Sequence, residues 1–118
     1  MANTFKLVTR DVAPASSGSP ETLYTVQTGS TIVVLGLTLA NVHTTSVTGT
    51  VQIVSTTTQT SQTQNTTAHL VKDIPDPNGA TVEIMAGNKI ILNAGDIVKI
   101  DCSVADKLSV TMSYMEIT

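Results

Sequence analysis

Short runs in which apolar and polar residues alternate, separated by turn residues, recur along the whole of this 118-residue chain. No segment carries the 3.6-residue period of an amphipathic helix. Period-two patterning with turn signals about every 8 to 12 residues is the signature of an all-β sandwich or barrel. Thr4 to Val12 alternates loosely, and Thr22 to Val26 follows after a stretch of Pro, Ser and Gly. Ile32 to Val42 is the most apolar run; with Val33, Leu35, Leu37 and Leu39 on one face, it reads as a central strand covered on both sides. Gly36 interrupts its other face, which marks a bulge or a close backbone approach. Val47, Gly49, Val51 and Ile53 then alternate with Thr48, Thr50 and Gln52. Only the polar turn 43–46 separates this strand from the previous one, so the two are expected to pair as an antiparallel hairpin.

Later candidates are Ala68 to Asp73, Thr81 to Met85, Lys89 to Leu92, Asp96 to Cys102 and Lys107 to Ile117. In the last of these, Leu108, Val110, Met112 and Tyr114 point inward. Pro75 to Gly79 is expected to end a ladder rather than continue one, and the Gly87 and Gly95 turns supply positions tolerant of positive φ. About eight short strands of this kind predict a two-sheet antiparallel β-sandwich, jelly-roll-like in topology. A five-stranded OB-like barrel fits less well. Residues 1–19 read as an N-terminal arm or edge strand with a flexible linker, and residues 20–118 as a single sandwich domain. Aliphatic residues alone are expected to fill the core, with no aromatic anchor.

Composition sharpens this. Charged residues make up only 13% of the chain, about half of the roughly 25% usual in soluble domains. Hydroxyls replace them, with 21 Thr and 10 Ser, and β-branched Thr favours a pleated surface. The six basic residues are scattered and the net charge is −3, so nothing draws in a polyphosphate, and nucleic acid is not expected as a partner. No apolar run reaches the 18 or so residues of a membrane span, and no secretory signal is evident, so no membrane partner is expected. The sole cysteine, Cys102, alternates with Val98 and Ile100 and reads as a small core residue.

Residues 55–67 form a polar Thr/Gln-rich loop without a single apolar or charged side chain. Such a segment is either a solvated connection or a β-prone arm that pairs with a neighbouring subunit. A flexible arm and an edge strand can likewise add to another chain's sheet. The candidate assembly interface is therefore Phe5, Leu7, Arg10 and Val12 on the arm, with Thr58, Thr60, Gln62 and Gln64 on the polar segment. Catalytic chemistry finds little footing. His43 and His69 read as surface residues without a positioned nucleophile, and with Cys102 they lack metal-ligand spacing. Asp73, Asp76, Asp96 and Asp101 read as solvated charges at turns and strand ends. No catalytic residue, cofactor or metal is expected, and the chain is not read as an enzyme.

The run Leu23-Tyr24-Thr25-Val26-Gln27-Thr28-Gly29-Ser30 into Val34-Leu35-Gly36-Leu37-Thr38-Leu39-Ala40-Asn41 resembles small virion structural proteins of tailed bacteriophages, particularly those infecting marine cyanobacteria. His69 to Pro75, Lys89 to Ile97 and Ser113 to Ile117 fall where such proteins carry similar blocks. The resemblance implies a non-enzymatic virion component, assembled in the host cytoplasm. A capsid decoration (cement) protein leads, binding the major capsid protein or other virion proteins as a symmetric homo-oligomer, with a trimer favoured. The first alternative is an adaptor in the tail, neck or fibre base. The second is a carbohydrate-binding module, which the absence of Trp disfavours.

Overall fold

A computed structural model describes residues 2–57 and 65–118. Nine strands follow in order: β1 (Asn3–Ala13), β2 (Glu21–Thr25), β3 (Thr31–Asn41), β4 (Val47–Val54), β5 (Ala68–Asp76), β6 (Thr81–Glu83), β7 (Ile90–Leu92), β8 (Ile97–Cys102) and β9 (Leu108–Ile117). One sheet runs β1-β9-β3-β6 with β7 also on β3; the other runs β2-β8-β4-β5. All pairings are antiparallel. The all-β, two-sheet sandwich expected from the alternation is therefore present, with nine strands, one in each segment that the alternation marks out.

The strand order has a simple origin. The chain reverses direction between β4 and β5, and the resulting double ribbon pairs β4 with β5, β3 with β6 and β7, β2 with β8, and β1 with β9. Rolling that ribbon puts β9 between β1 and β3, and β8 between β2 and β4, which is the jelly-roll arrangement of two sheets. Between them lies one core. Ile32, Val34, Leu37, Leu39, Val110 and Met112 face it from the first sheet, and Leu23, Val47, Val51, Val98, Ile100 and Cys102 from the second.

Several sequence expectations need correction. β3 and β4 do not form a hairpin but lie in opposite sheets, because β9, β6 and β7 already occupy both edges of β3. Their connector crosses the end of the sandwich, stitched by Asn41: its Oδ1 accepts from the His43 N–H at 2.7 Å and its Nδ2 donates to the Thr45 carbonyl at 3.0 Å. Nor is β3 covered on both sides. Its residues alternate between buried and half-buried, and Gly36 marks the bulge, where the register on β9 slips between Val34 and Gly36. That extra residue swaps faces midway, so Ile32 and Val34 point inward before it and Leu37 and Leu39 after it, while Val33 and Leu35 point outward. A Cβ on Gly36 would meet only the Glu83 carboxylate at 3.9 Å, so the glycine serves the bulge and not a close approach.

β5 also continues through Pro75, paired with Thr48, to Asp76. It can do so because β5 is a sheet edge, where a missing N–H costs no ladder bond. An aromatic pair does enter the core: Tyr114 is buried, with its ring 4.9 Å from that of Tyr24. Burial, followed by the Tyr114 hydroxyl, pushes the Tyr24 phenol well above its ordinary range. Finally, Asp76 and Asp96 are not solvated edge charges; both are buried.

Candidate assembly surface

Among the described residues there is no pocket and no cluster of three or more His, Cys, Asp or Glu side chains. What stands out is an edge and a face. β1 pairs with β9 in unbroken register from Asn3 to Arg10 and again at Ala13, with a shift between the two, and the pairing extends to Ala2, which exchanges both backbone hydrogen bonds with Thr118. Among the described residues no strand pairs with the other edge of β1. Eleven residues make this edge roughly 35 Å long at the usual rise of a strand.

Natural sheets guard such edges with lysines, bulges or covering segments. Here the two cations of β1 are turned away from guard duty. Lys6 donates to Glu116 Oε1 at 2.7 Å, and that hydrogen bond, with the charge behind it, raises the Lys6 pKa. Arg10 pairs through Nε with Glu21 Oε2 at 3.0 Å and donates through Nη2 to the Thr22 carbonyl. Arg10 thus ties β1 to β2 across the sandwich. The far end of the same sheet is treated differently. β6 and β7 are short, and at the end of β6 Glu83 Oε1 accepts the N–H groups of Leu37 and Met85. That carboxylate satisfies the Leu37 donor in the gap between the β3 residues paired with β6 and those paired with β7.

The face is read from the register. Phe5 lies opposite Met115, Met115 opposite Val33, and Val33 opposite Ile91. Directly opposed residues share a face, so these four form one apolar row across β1, β9, β3 and β7 on the outside of the sandwich. Phe5 is 74% exposed and Ile91 66%. Leu7, 61% exposed, sits beside the row opposite Ser113. Next along the face is a row of hydroxyls, Thr9, Thr111 and Thr38. Phe5 and Leu7 of the expected interface therefore stand on this surface, Val12 is exposed near the end of the same strand, and Arg10 faces the other way, engaged within the chain. Thr58, Thr60, Gln62 and Gln64 lie outside the described residues. The base of their segment is closed: Asn65 N donates to the Thr57 carbonyl, its Nδ2 donates to Ser55 Oγ, and Ser55 Oγ donates to buried Asp96 at 2.6 Å.

Met115, Val33 and Ile91 are missed by sequence reasoning. The outward position of Val33 depends on the Gly36 bulge, and its alignment with Met115 and Ile91 depends on long-range pairing. The exposed Ile in Lys89-Ile90-Ile91-Leu92 was the one local signal, since alternation buries only Leu92 fully and leaves Ile91 outside.

No protein-family model and no curated protein matches the chain. Solved structures do resemble it. One, from work on Bacillus endospore appendages described as a novel family of disulfide-linked pili, has a TM-score of 0.51 at 14% identity, covering 99% of this chain and 87% of that one. Another, Eiger TNF from S. frugiperda, has a TM-score of 0.41 at 11% identity, covering 97% and 93%. At such identities the likeness to the pilus structure is one of fold.

Proposed function

We propose that this chain is a non-enzymatic structural subunit that assembles with copies of itself. The observation that carries the reading is the eleven-residue β1 edge, whose outer face bears exposed Phe5 and Leu7. An unpaired edge supplies backbone hydrogen bonds to an incoming strand, and the apolar side chains supply the area. The pilus-type neighbour is compatible with such a role. Disulfide linkage does not carry over to this sequence, whose one cysteine is buried.

In its finer form the proposal is a bacteriophage virion protein, assembled in the host cytoplasm and decorating the capsid as a symmetric oligomer, a trimer. The resemblance of the blocks at residues 23–41, 69–75, 89–97 and 113–117 to such proteins supports it. A β1 edge docked on a different edge of the next copy is a heterologous contact, which closes into a ring or propagates as a filament according to its rotation angle. Light scattering on the purified chain tests assembly, with a Phe5→Lys/Leu7→Lys variant as control. A defined oligomer lost in the variant is the expected result, and a monomer at every concentration refutes it. Electron microscopy of the intact particle then tests the position; density for this chain confined to the tail or neck would refute capsid decoration.

A further inference from the structure

Asp76 ends β5 and is completely buried, and both of its carboxylate oxygens lack a hydrogen-bond partner among the described residues. A buried carboxylate with neither donor nor cation is costly, so the group has a reason to keep its proton, and burial does push its pKa above the ordinary carboxylate value. Two further features converge on the same residue. The main-chain carbonyl of Asp76 accepts a hydrogen bond from Asn41 Nδ2 at 2.8 Å. The peptide bond leaving that carbonyl leads to Pro77, an exposed residue whose ring nitrogen is a tertiary amide without N–H.

We propose that the Asp76–Pro77 bond is a self-cleavage site, in which the Asp76 side chain is the nucleophile and Asn41 polarises the carbonyl under attack. The Asp76 carboxyl oxygen adds to its own main-chain carbonyl carbon and closes a five-membered ring, while Asn41 Nδ2 steadies the negative charge growing on the carbonyl oxygen. The carboxyl proton passes to the Pro77 nitrogen, the C–N bond breaks, and Pro77 leaves as a secondary amine. The remaining cyclic anhydride takes up one water and opens to the two carboxyls of a C-terminal Asp76. No oxidant or metal enters the balance, and water is the only co-reactant.

The cut falls in the turn between β5 and β6. Since β8 and β9 from the second fragment lie between strands of the first in both sheets, the nicked sandwich stays together. Native chromatography is blind to the event, and only a denaturing measurement reports it.

The test is denaturing mass spectrometry of the purified chain held at neutral pH over days. Fragments 1–76 and 77–118, with summed mass exceeding the intact chain by one water, are the expected products. Unfolded in urea, nearly all Asp76 carboxyls are ionised at that pH, since their pKa is then about 3.9, and cleavage is expected to slow at least tenfold. Asp76→Val removes the nucleophile and replaces a buried polar group with an apolar one that a strand accepts, so it folds and does not cleave. Pro77→Ala keeps the carboxyl but takes away the good leaving nitrogen, and does not cleave. Asn41→Ala slows the reaction by roughly 100-fold, the usual effect of losing one such donor. No fragment from the folded wild-type chain, an equal rate in urea, or undiminished cleavage in Asp76→Val or Pro77→Ala would each overturn the assignment.

Discussion

Replacing Gly49 with alanine sets two opposing effects against each other at a position where the structure decides the winner. Gly49 faces the core from β4, between Val47 and Val51. Its gain on substitution comes from the unfolded chain, which loses freedom worth about 0.4–1 kcal/mol when Gly becomes Ala. Its cost comes from packing. A Cβ there would stand 2.9 Å from Leu39 Cδ1, 3.4 Å from Leu108 Cδ1 and 3.8 Å from Ile74 Cγ2. The first distance requires movement. The moving atom ends a flexible side chain, but Leu39 and Leu108 are both fully buried, so neither has open space to swing into. Overpacking of this kind costs about 1–3 kcal/mol. The net expectation is a destabilisation of about 1–2 kcal/mol, read from equilibrium urea unfolding by circular dichroism, since the chain has no Trp. Trimming the obstructing methyl with Leu39→Val in the same chain should recover about 1 kcal/mol beyond the sum of the single effects. A neutral or stabilising Gly49→Ala, or strictly additive double-mutant values, would show that the contact with Leu39 does not set the cost.

Asp76 makes stability depend on pH in an unusual direction. Its folded pKa is raised, so the fold gains most below the unfolded carboxylate pKa and loses that gain as pH rises through the folded value; Asp76→Val should be more stable than wild type near pH 7 by about 1–3 kcal/mol, the cost of an unsatisfied buried group, with a flatter profile in urea titrations across the acid-to-neutral range. Phe5→Lys/Leu7→Lys should leave the monomer's unfolding free energy within about 0.5 kcal/mol of wild type per site, as exposed substitutions usually do, while abolishing association in light scattering. Leu39→Ala should cost about 2–5 kcal/mol in the same urea assay. Cys102, buried and with its thiol pushed up in pKa by that burial, should resist a thiol reagent in the folded chain and react once urea unfolds it.

How far these expectations could be read from residues alone differs from element to element. Alternation is a local property, so the sequence reveals which strands exist and, in β8 and β9, which side chains face inward: Val98, Ile100 and Cys102, then Leu108, Val110, Met112 and Tyr114. It also makes β1 an edge candidate carrying Phe5 and Leu7, because a weakly patterned apolar strand followed by Pro and Gly has little to bury against. Partnership between strands is not local. Only the rolled ribbon separates β3 from β4, carries β5 through Pro75 along an open edge, and lines up Phe5, Met115, Val33 and Ile91 from four distant segments. The same long-range packing places Asp76 in a dry interior beside Asn41, where a residue that looks like a turn carboxylate becomes a buried acid. Sequence by itself settled the period and hence the class of fold; the tertiary structure decided register, sheet order and burial, because those depend on which hydrogen-bonding edges are already taken when two sheets close over one core.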